Sequence, residues 1–220
     1  MKNENENYIV VQNVSKKIGH DYVLSDISME LKKGTVYGFA GHNGSGKTMM
    51  MRIICGLVMA TEGKVIIDSK QIGKDISFPK SVGALIEAPA FLDQYNAFQN
   101  LKHIAELDRL IDDEKIHETI KEVGLENAEK KKYRKYSLGM KQRLGIALAI
   151  MEDPEILILD EPTNALDKDG VETVKEIIEK RKKNAVTIVA SHEESVLKEI
   201  ADEIFVFSDG KMVEHEKINY

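Results

Sequence analysis

With 220 residues, 42% of them hydrophobic and 31% charged, the chain can bury the core of one large globular domain, with or without an inserted lobe. A net charge of −6 at pH 7 argues against a nucleic-acid binder held by a broad basic surface, though it leaves room for a local basic patch. The single cysteine, Cys55, cannot form an intrachain disulfide, which points to a reducing compartment.

The Asn/Glu-rich start "MKNENENYIVV" has no apolar leader. No apolar run approaches the ~18 residues of a membrane span, so any work at a membrane requires a separate spanning chain. The opening third reads as short strands, "YIVVQNV", "ISMEL", "TVYGFA" and "GKVIID", parted by Gly, Lys and Asp turn signals. One helix, "KTMMMRIICGLV", interrupts them. Its methionine triplet Met49, Met50 and Met51 and its Cys55 read as core filler. From about Asn96 to Gly124 the apolar residues Leu101, Ile104, Ala105, Leu107 and Leu110 recur at helical spacing. The last third alternates strand and helix: "EILILD", "GVETVKEIIEKRKK", "AVTIVAS", "ESVLKEIA", "EIFVF". Strands of Ile, Leu and Val without polar alternation are buried on both faces, which predicts a parallel sheet between helix layers. The predicted architecture is an α/β core preceded by antiparallel strands and interrupted by a helical lobe.

"GHNGSGKT", Gly41 to Thr48, fits the phosphate-loop pattern at every fixed position, with a strand before it and a helix after it. Its glycines, Gly41, Gly44 and Gly46, let the backbone N–H groups of the loop, through His42, Asn43 and Ser45, curl around a polyphosphate. The helix N-terminus adds partial positive charge. Lys47 reaches β- and γ-phosphates, and the Thr48 hydroxyl suits Mg²⁺. In "EILILDEP", Asp160 and Glu161 stand at the C-terminal end of a buried strand, where open α/β sheets place their ligands. Alone, the pair reads equally well as a solvated strand end. Beside a phosphate loop, Asp160 is expected to hold Mg²⁺ and Glu161 to act as general base on the attacking water. The run "YSLGMKQRLGIALAI" starts a helix on Ser137 and Gly139, yet places Lys141 and Arg143 in its first turns. A helix dipole favours anions at that end, so this is either an ordinary capped helix or the dock of an anion from elsewhere.

With "GHNGSGKT", "YSLGMKQR", "ILILDEP", "NALD" and "ASHE" in this order, the chain resembles the ATP-binding-cassette ATPases from about Tyr8 to Glu214. The resemblance implies a single cassette over residues 1–220. It would have a P-loop NTPase core of mostly parallel sheet (about 1–90 and 150–220), an N-terminal antiparallel β subdomain, and an inserted α-helical subdomain (about 91–149). It also implies a head-to-tail dimer with two ATPs between the phosphate loop of one subunit and the signature of the other. The signature pattern L-S-G-G-Q falls on Tyr136, Ser137, Leu138, Gly139 and Met140; Ser137 and Gly139 match, while Leu138 and Met140 depart. By the same carry-over Asp167 is the acid that communicates across the dimer, and His192 contacts the γ-phosphate. The usual glutamine after the strand near "VGALIEAP" is Glu87, read either as a sensor near the metal-bound water or as the start of a loop. The adenine-stacking aromatic aligns with Ile18. Tyr22 either substitutes for it or merely packs a strand, so weak base discrimination is expected.

The stretches "VGALIEAPAFLDQYNAFQNL" and "YSLGMKQRLGIA" look like bacterial exporter ATPases of the bacitracin and lantibiotic-resistance type. The resemblance implies ATP and Mg²⁺ as cofactors and a second cassette, identical or paralogous, as one partner. An integral membrane subunit is the other, with no nucleic acid involved, and the location is the cytoplasmic face of the membrane. The competing reading is a soluble cassette used as a mechanical module. One cassette with a short helical insertion disfavours it. The basic run "KKKYRKYS" reads as a solvated face or a contact for a membrane or acidic partner.

Overall fold

The computed structural model describes residues 7–88 and 90–218; the Asn/Glu-rich residues 1–6, Pro89 and residues 219–220 lie outside them. An antiparallel sheet is built from β1 (Ile9–Ile18), β2 (Asp21–Leu31), β4 (Glu62–Ile67) and β5 (Lys70–Gln71), in the order β2-β1-β4-β5. The second sheet runs β10-β9-β3-β8-β7-β6, from β3 (Thr35–Ala40), β6 (Val82–Leu85), β7 (Ile156–Asp160), β8 (Val186–Ser191), β9 (Glu203–Ser208) and β10 (Lys211–Lys217). It is parallel except for the β9–β10 pair. The expected α/β architecture is present. Among the differences from expectation, β1 and β2 run on into one long hairpin beyond "YIVVQNV" and "ISMEL", and β10 closes the sheet edge where no strand was expected. Polar "KMVEHEK" gives little apolar signal, because β10 is an edge strand with most of its side chains exposed.

Each side chain of β7 selects its layer by parity. Ile156 and Ile158 join the cluster between the two sheets, while Leu157 and Leu159 join the cluster under the helices. Helix α1 (Lys47–Ile54) lies in the first cluster with Met50 and Met51 buried and Cys55 buried just past its end, while Met49, also read as core filler, is only half-buried against the cluster. It is shorter than "KTMMMRIICGLV". The amides of Gly56 and Leu57 bond back to Ile53 and Arg52 and stop the helix there. The second cluster takes α2 (Ala97–Asp108), α3 (Asp113–Glu122), α4 (Leu138–Ile150), α5 (Lys168–Lys182) and α6 (Glu194–Ile200). The inserted helices have no separate core, since Leu101, Ile116 and Leu144 share this cluster with Leu157 and Val174.

A partly buried ion pair fastens the helical insertion to the core. Arg181 on α5, 7% exposed, gives two 2.8 Å hydrogen bonds to the two oxygens of Glu122 at the end of α3. Those bonds hold the Glu122 carboxyl down at about 2. Glu122→Ala would leave Arg181 with a 3.4 Å bond to the Ile177 carbonyl and a 3.6 Å contact to Asp153. The expected cost is about 3 kcal/mol, read by thermal unfolding at pH 7. A carboxylate lowered in the folded state stabilises above its unfolded value of 4.5 and loses that contribution as pH falls toward about 2. The gap between wild type and variant should therefore narrow in acid.

Candidate functional site

The parallel register sets the site. Ala40 pairs with Ser191, Asp160 with Ala190 and Leu85 with Leu159, so the C-terminal ends of β3, β8, β7 and β6 stand side by side. The phosphate loop leaves β3, His192 follows β8, Asp160 ends β7 with Glu161 next after it, and Glu87 follows β6. Four segments far apart in sequence thus open onto one edge, as doubly wound sheets arrange their ligand sites.

The loop is wedged between two strands. Gly41 has φ +139°, and a Cβ there would overlap the Phe207 carbonyl oxygen. Gly46 has φ +111° and would press a Cβ into Leu24 of β2. Only glycine fits both the dihedral and the space. The β9–β10 turn braces the loop from behind, with Gly210 N–H donating to the Ser45 carbonyl at 3.0 Å. Gly44, at φ +82°, has open space around it, and exposed His42 contacts the Asn43 carbonyl through Nδ1 at 2.9 Å. Buried Ser45 Oγ has no hydrogen-bond partner among the described residues.

Lys47, 5% exposed, donates to the carbonyls of Gly41 at 2.6 Å and His42 at 3.1 Å. Burial lowers its pKa, and the nearby carboxylates of Glu161 and Asp160 oppose that. Thr48 Oγ1 donates to Asp160 Oδ2 at 2.8 Å. Burial raises the Asp160 pKa, the Thr48 bond lowers it, and the charge of Glu161 raises it again. A buried carboxylate among like charges gains most from a bound cation. The donor set of one hydroxyl and one carboxylate is the hard oxygen chemistry that Mg²⁺ takes while keeping several waters.

Glu161 and His192 meet directly. Glu161 Oε1 accepts from the His192 backbone N–H at 2.9 Å and lies 2.9 Å from its ring Nδ1. Glu161 Oε2 is buried with no hydrogen-bond partner among the described residues. The residue sits at φ +49°, in the left-handed region that a non-glycine occupies only when its surroundings insist.

The sequence profile of the ABC transporter family matches residues 24–164 of this chain, more than half of its length. The chain belongs to that family. It is 46% identical over 213 residues to the uncharacterised ABC transporter ATP-binding protein YybJ of Bacillus subtilis (strain 168), covering 96% of this chain and 98% of that one. It is 37% identical to the lantibiotic transport ATP-binding protein SrtF of Streptococcus pyogenes, over 92% of this chain and 88% of the relative. It is also 37% identical to the bacitracin transport ATP-binding protein BcrA of Enterococcus faecalis, over 97% and 70%. Among solved structures, a dimeric bacterial ABC transporter cassette superposes with a TM-score of 0.86 at 25% identity, covering 96% of this chain and 99% of that one. The cassette cbiO1 from Clostridium perfringens superposes at 0.81 with 26% identity, over 96% and 89%. The protein is an ATP-binding subunit of this family and an ATPase.

Within this ABC cassette the signature segment touches other partners than the phosphate loop of its own chain. Ser137 caps α4 by accepting from the Met140 N–H at 3.2 Å. A Cβ on Gly139 would lie 2.7 Å from the Ala165 carbonyl oxygen, so this glycine lets α4 seat on the loop after Glu161. Leu138, which replaces a glycine of the family pattern, is 71% exposed. The two cations that look misplaced in sequence have local partners. Arg143 reaches the Val123 carbonyl and Asp167 Oδ1, and Lys141 lies over the Tyr133 ring.

Two other sequence expectations meet unforeseen partners. Glu87 is 2.5 Å from Arg52 of α1, and among the described residues no group of three or more His, Cys, Asp or Glu gathers as a metal cage. The Tyr22 hydroxyl donates to Glu62 at 3.0 Å, and Lys17 covers its ring at 4.7 Å. Sequence reading missed Arg52 and Gln142, whose Nε2 donates to the Glu161 carbonyl at 2.9 Å. The only advance signal for Gln142 is its place three residues after Gly139, on the same helix face.

Proposed function

We propose that this subunit hydrolyses ATP to drive a separate membrane-spanning exporter of peptides or hydrophobic compounds. One observation carries the catalytic half: Glu161 has one carboxylate oxygen fixed by His192 and the other buried and free to accept a proton. Glu161 takes the proton of the attacking water as general base. His192 orients Glu161 and reaches the γ-phosphate. Lys47, the loop amides from Gly41 to Thr48 and the buried Ser45 hydroxyl hold the phosphates. Thr48 and Asp160 would hold Mg²⁺, which when bound neutralises charge on the β- and γ-phosphates. Glu87 pairs with Arg52 and adds its negative charge to the surroundings of Asp160.

Ser137 and Gly139 at the start of α4 receive the γ-phosphate held by a second subunit, identical or paralogous. Among the described residues no helix is long and apolar enough to cross a membrane. As an ATP-binding subunit of the ABC transporter family, it works on the cytoplasmic face through an integral membrane partner. The names of two relatives, for lantibiotic and bacitracin transport, favour export of such compounds over a soluble mechanical role. Tagged protein isolated from detergent-solubilised membranes is expected to bring down an integral membrane chain; recovery only with ribosomes or DNA would overturn the transporter reading.

The Tyr22 ring is already covered by Lys17 and tied to Glu62, so it contributes little to base choice. KM values for ATP and GTP should lie within about tenfold, equivalent to roughly 1.4 kcal/mol, and Tyr22→Ala should change that ratio little. A steady-state competition series reads this directly. A strong ATP preference that Tyr22→Ala abolishes would restore the stacking role.

A further inference from the structure

Three residues on one face of α4, Gly139, Gln142 and Arg143, stand at the i, i+3, i+4 spacing that puts side chains in a single stripe. All three touch the segment from Glu161 to Asp167. Gly139 leaves no room for a Cβ against the Ala165 carbonyl, Gln142 Nε2 donates to the Glu161 carbonyl at 2.9 Å, and Arg143 Nη2 donates to Asp167 Oδ1 at 3.1 Å. The start of α4 is therefore tied at three points to the segment after β7.

Glu161 itself is held at every polar backbone atom. Its N–H donates to Ala190 at 2.9 Å, and its carbonyl accepts from Asn164 N–H at 3.2 Å and from Gln142. Both Glu161 at φ +49° and Ala165 at φ +62° are non-glycine residues in the left-handed region. Such conformations cost free energy and relax when a restraint is removed. Of the restraints on Glu161, Gln142 is the one supplied by the side chain of another helix. Its amide can move the Glu161 carbonyl whenever α4 shifts.

We infer that Gln142 is a positioning residue that sets the aim of the Glu161 carboxylate according to the position of the α4 N-terminus. The anion that the α4 N-terminus receives belongs to the second subunit, so the same hydrogen bond makes hydrolysis at one nucleotide respond to occupancy of the other. This rests on Glu161 being the general base. The amide donates to a carbonyl, so the required property at position 142 is an N–H at that reach, not bulk or charge. Loss of the donor would let the carboxylate drift while leaving the phosphate loop intact, since the Lys47 and Thr48 side chains bond to Gly41, His42 and Asp160 and not, among the described residues, to α4.

The test compares Gln142→Leu, Gln142→Glu and Gln142→His in the full chain, with turnover, binding of a fluorescent ATP analogue and the Hill coefficient measured on each. Leu and Glu both lack the donor, and the expected result is a kcat at least about tenfold lower, as a small misplacement of a reacting group costs. KM and analogue binding should stay within about twofold, and the Hill coefficient should fall toward one. Gln142→His, whose ring N–H reaches about as far, should recover most of the loss. Added to Glu161→Gln, Gln142→Leu should lower turnover no further. Gln142→Glu with wild-type kcat and cooperativity would overturn the inference, as would a loss explained wholly by weaker analogue binding. If Glu161→Gln alone left turnover intact, the base assignment would fall instead. The two failures are therefore distinct.

Discussion

Glu161→Gln is expected to lower steady-state ATP turnover by about a thousandfold, the usual weight of a positioned general base, while ATP binding stays within a few fold. The amide keeps the shape of the side chain and still offers an oxygen to the His192 N–H that Oε1 accepts at 2.9 Å. It cannot take a proton through the position of Oε2, the buried oxygen with no hydrogen-bond partner among the described residues. Lys47, Thr48 and Asp160 are untouched, so the phosphate-binding half of the site survives. Binding without hydrolysis should trap the ATP-bound pair of subunits, visible as a dimer on size-exclusion chromatography with ATP and Mg²⁺. Phosphate release near the wild-type rate would remove Glu161 from the role of base.

Lys47→Ala should weaken ATP binding by about a hundredfold or more, the size of one strong charge-assisted contact of nearly 3 kcal/mol. Turnover should fall below detection with it. The residue is 5% exposed and its ammonium is held by two loop carbonyls, so it lies inside the curl that the glycines create. Burial lowers its pKa, and an anionic phosphate beside it favours the charged form, so binding itself strengthens the contact. Thermal unfolding should show only a modest loss, because the Gly41 and His42 carbonyls stand at a site edge open to water. Titration with a fluorescent ATP analogue separates this from the Glu161 variant. One variant loses binding, and the other loses chemistry with binding kept.

The phosphate loop, the acid pair after β7 and the strand–helix alternation of the last third were readable because each is local. Glycines at fixed spacing, a lysine and threonine opening a helix, and apolar strands ending in acids carry their meaning within a few residues. The family resemblance came from the order of five such local signals. Edges and partners were not local. Polar β10 has no apolar pattern to announce it, yet its turn supplies Gly210 to brace Ser45. The extension of β1 and β2 into one hairpin depends on cross-strand pairing that no single segment encodes.

The same division runs through the site. By itself the sequence determined which groups can bind phosphate, accept a proton and coordinate a hard cation, since those are properties of residue types in short motifs. Only the tertiary structure decided who faces whom. The register of β3, β8, β7 and β6 brings Thr48 to Asp160 and His192 to Glu161, at 2.8 Å and 2.9 Å. The antiparallel sheet gives Tyr22 to Glu62, and the packing of α1 and α4 against their neighbours gives Arg52 to Glu87 and Arg143 to Asp167. The helix start with two unexplained cations turns out to serve its own chain first, through Gln142 on Glu161. Motif chemistry is written along the chain. The pairing of one motif with another depends on strand register and helix packing between residues far apart in sequence, which the chain sets only when the whole core closes.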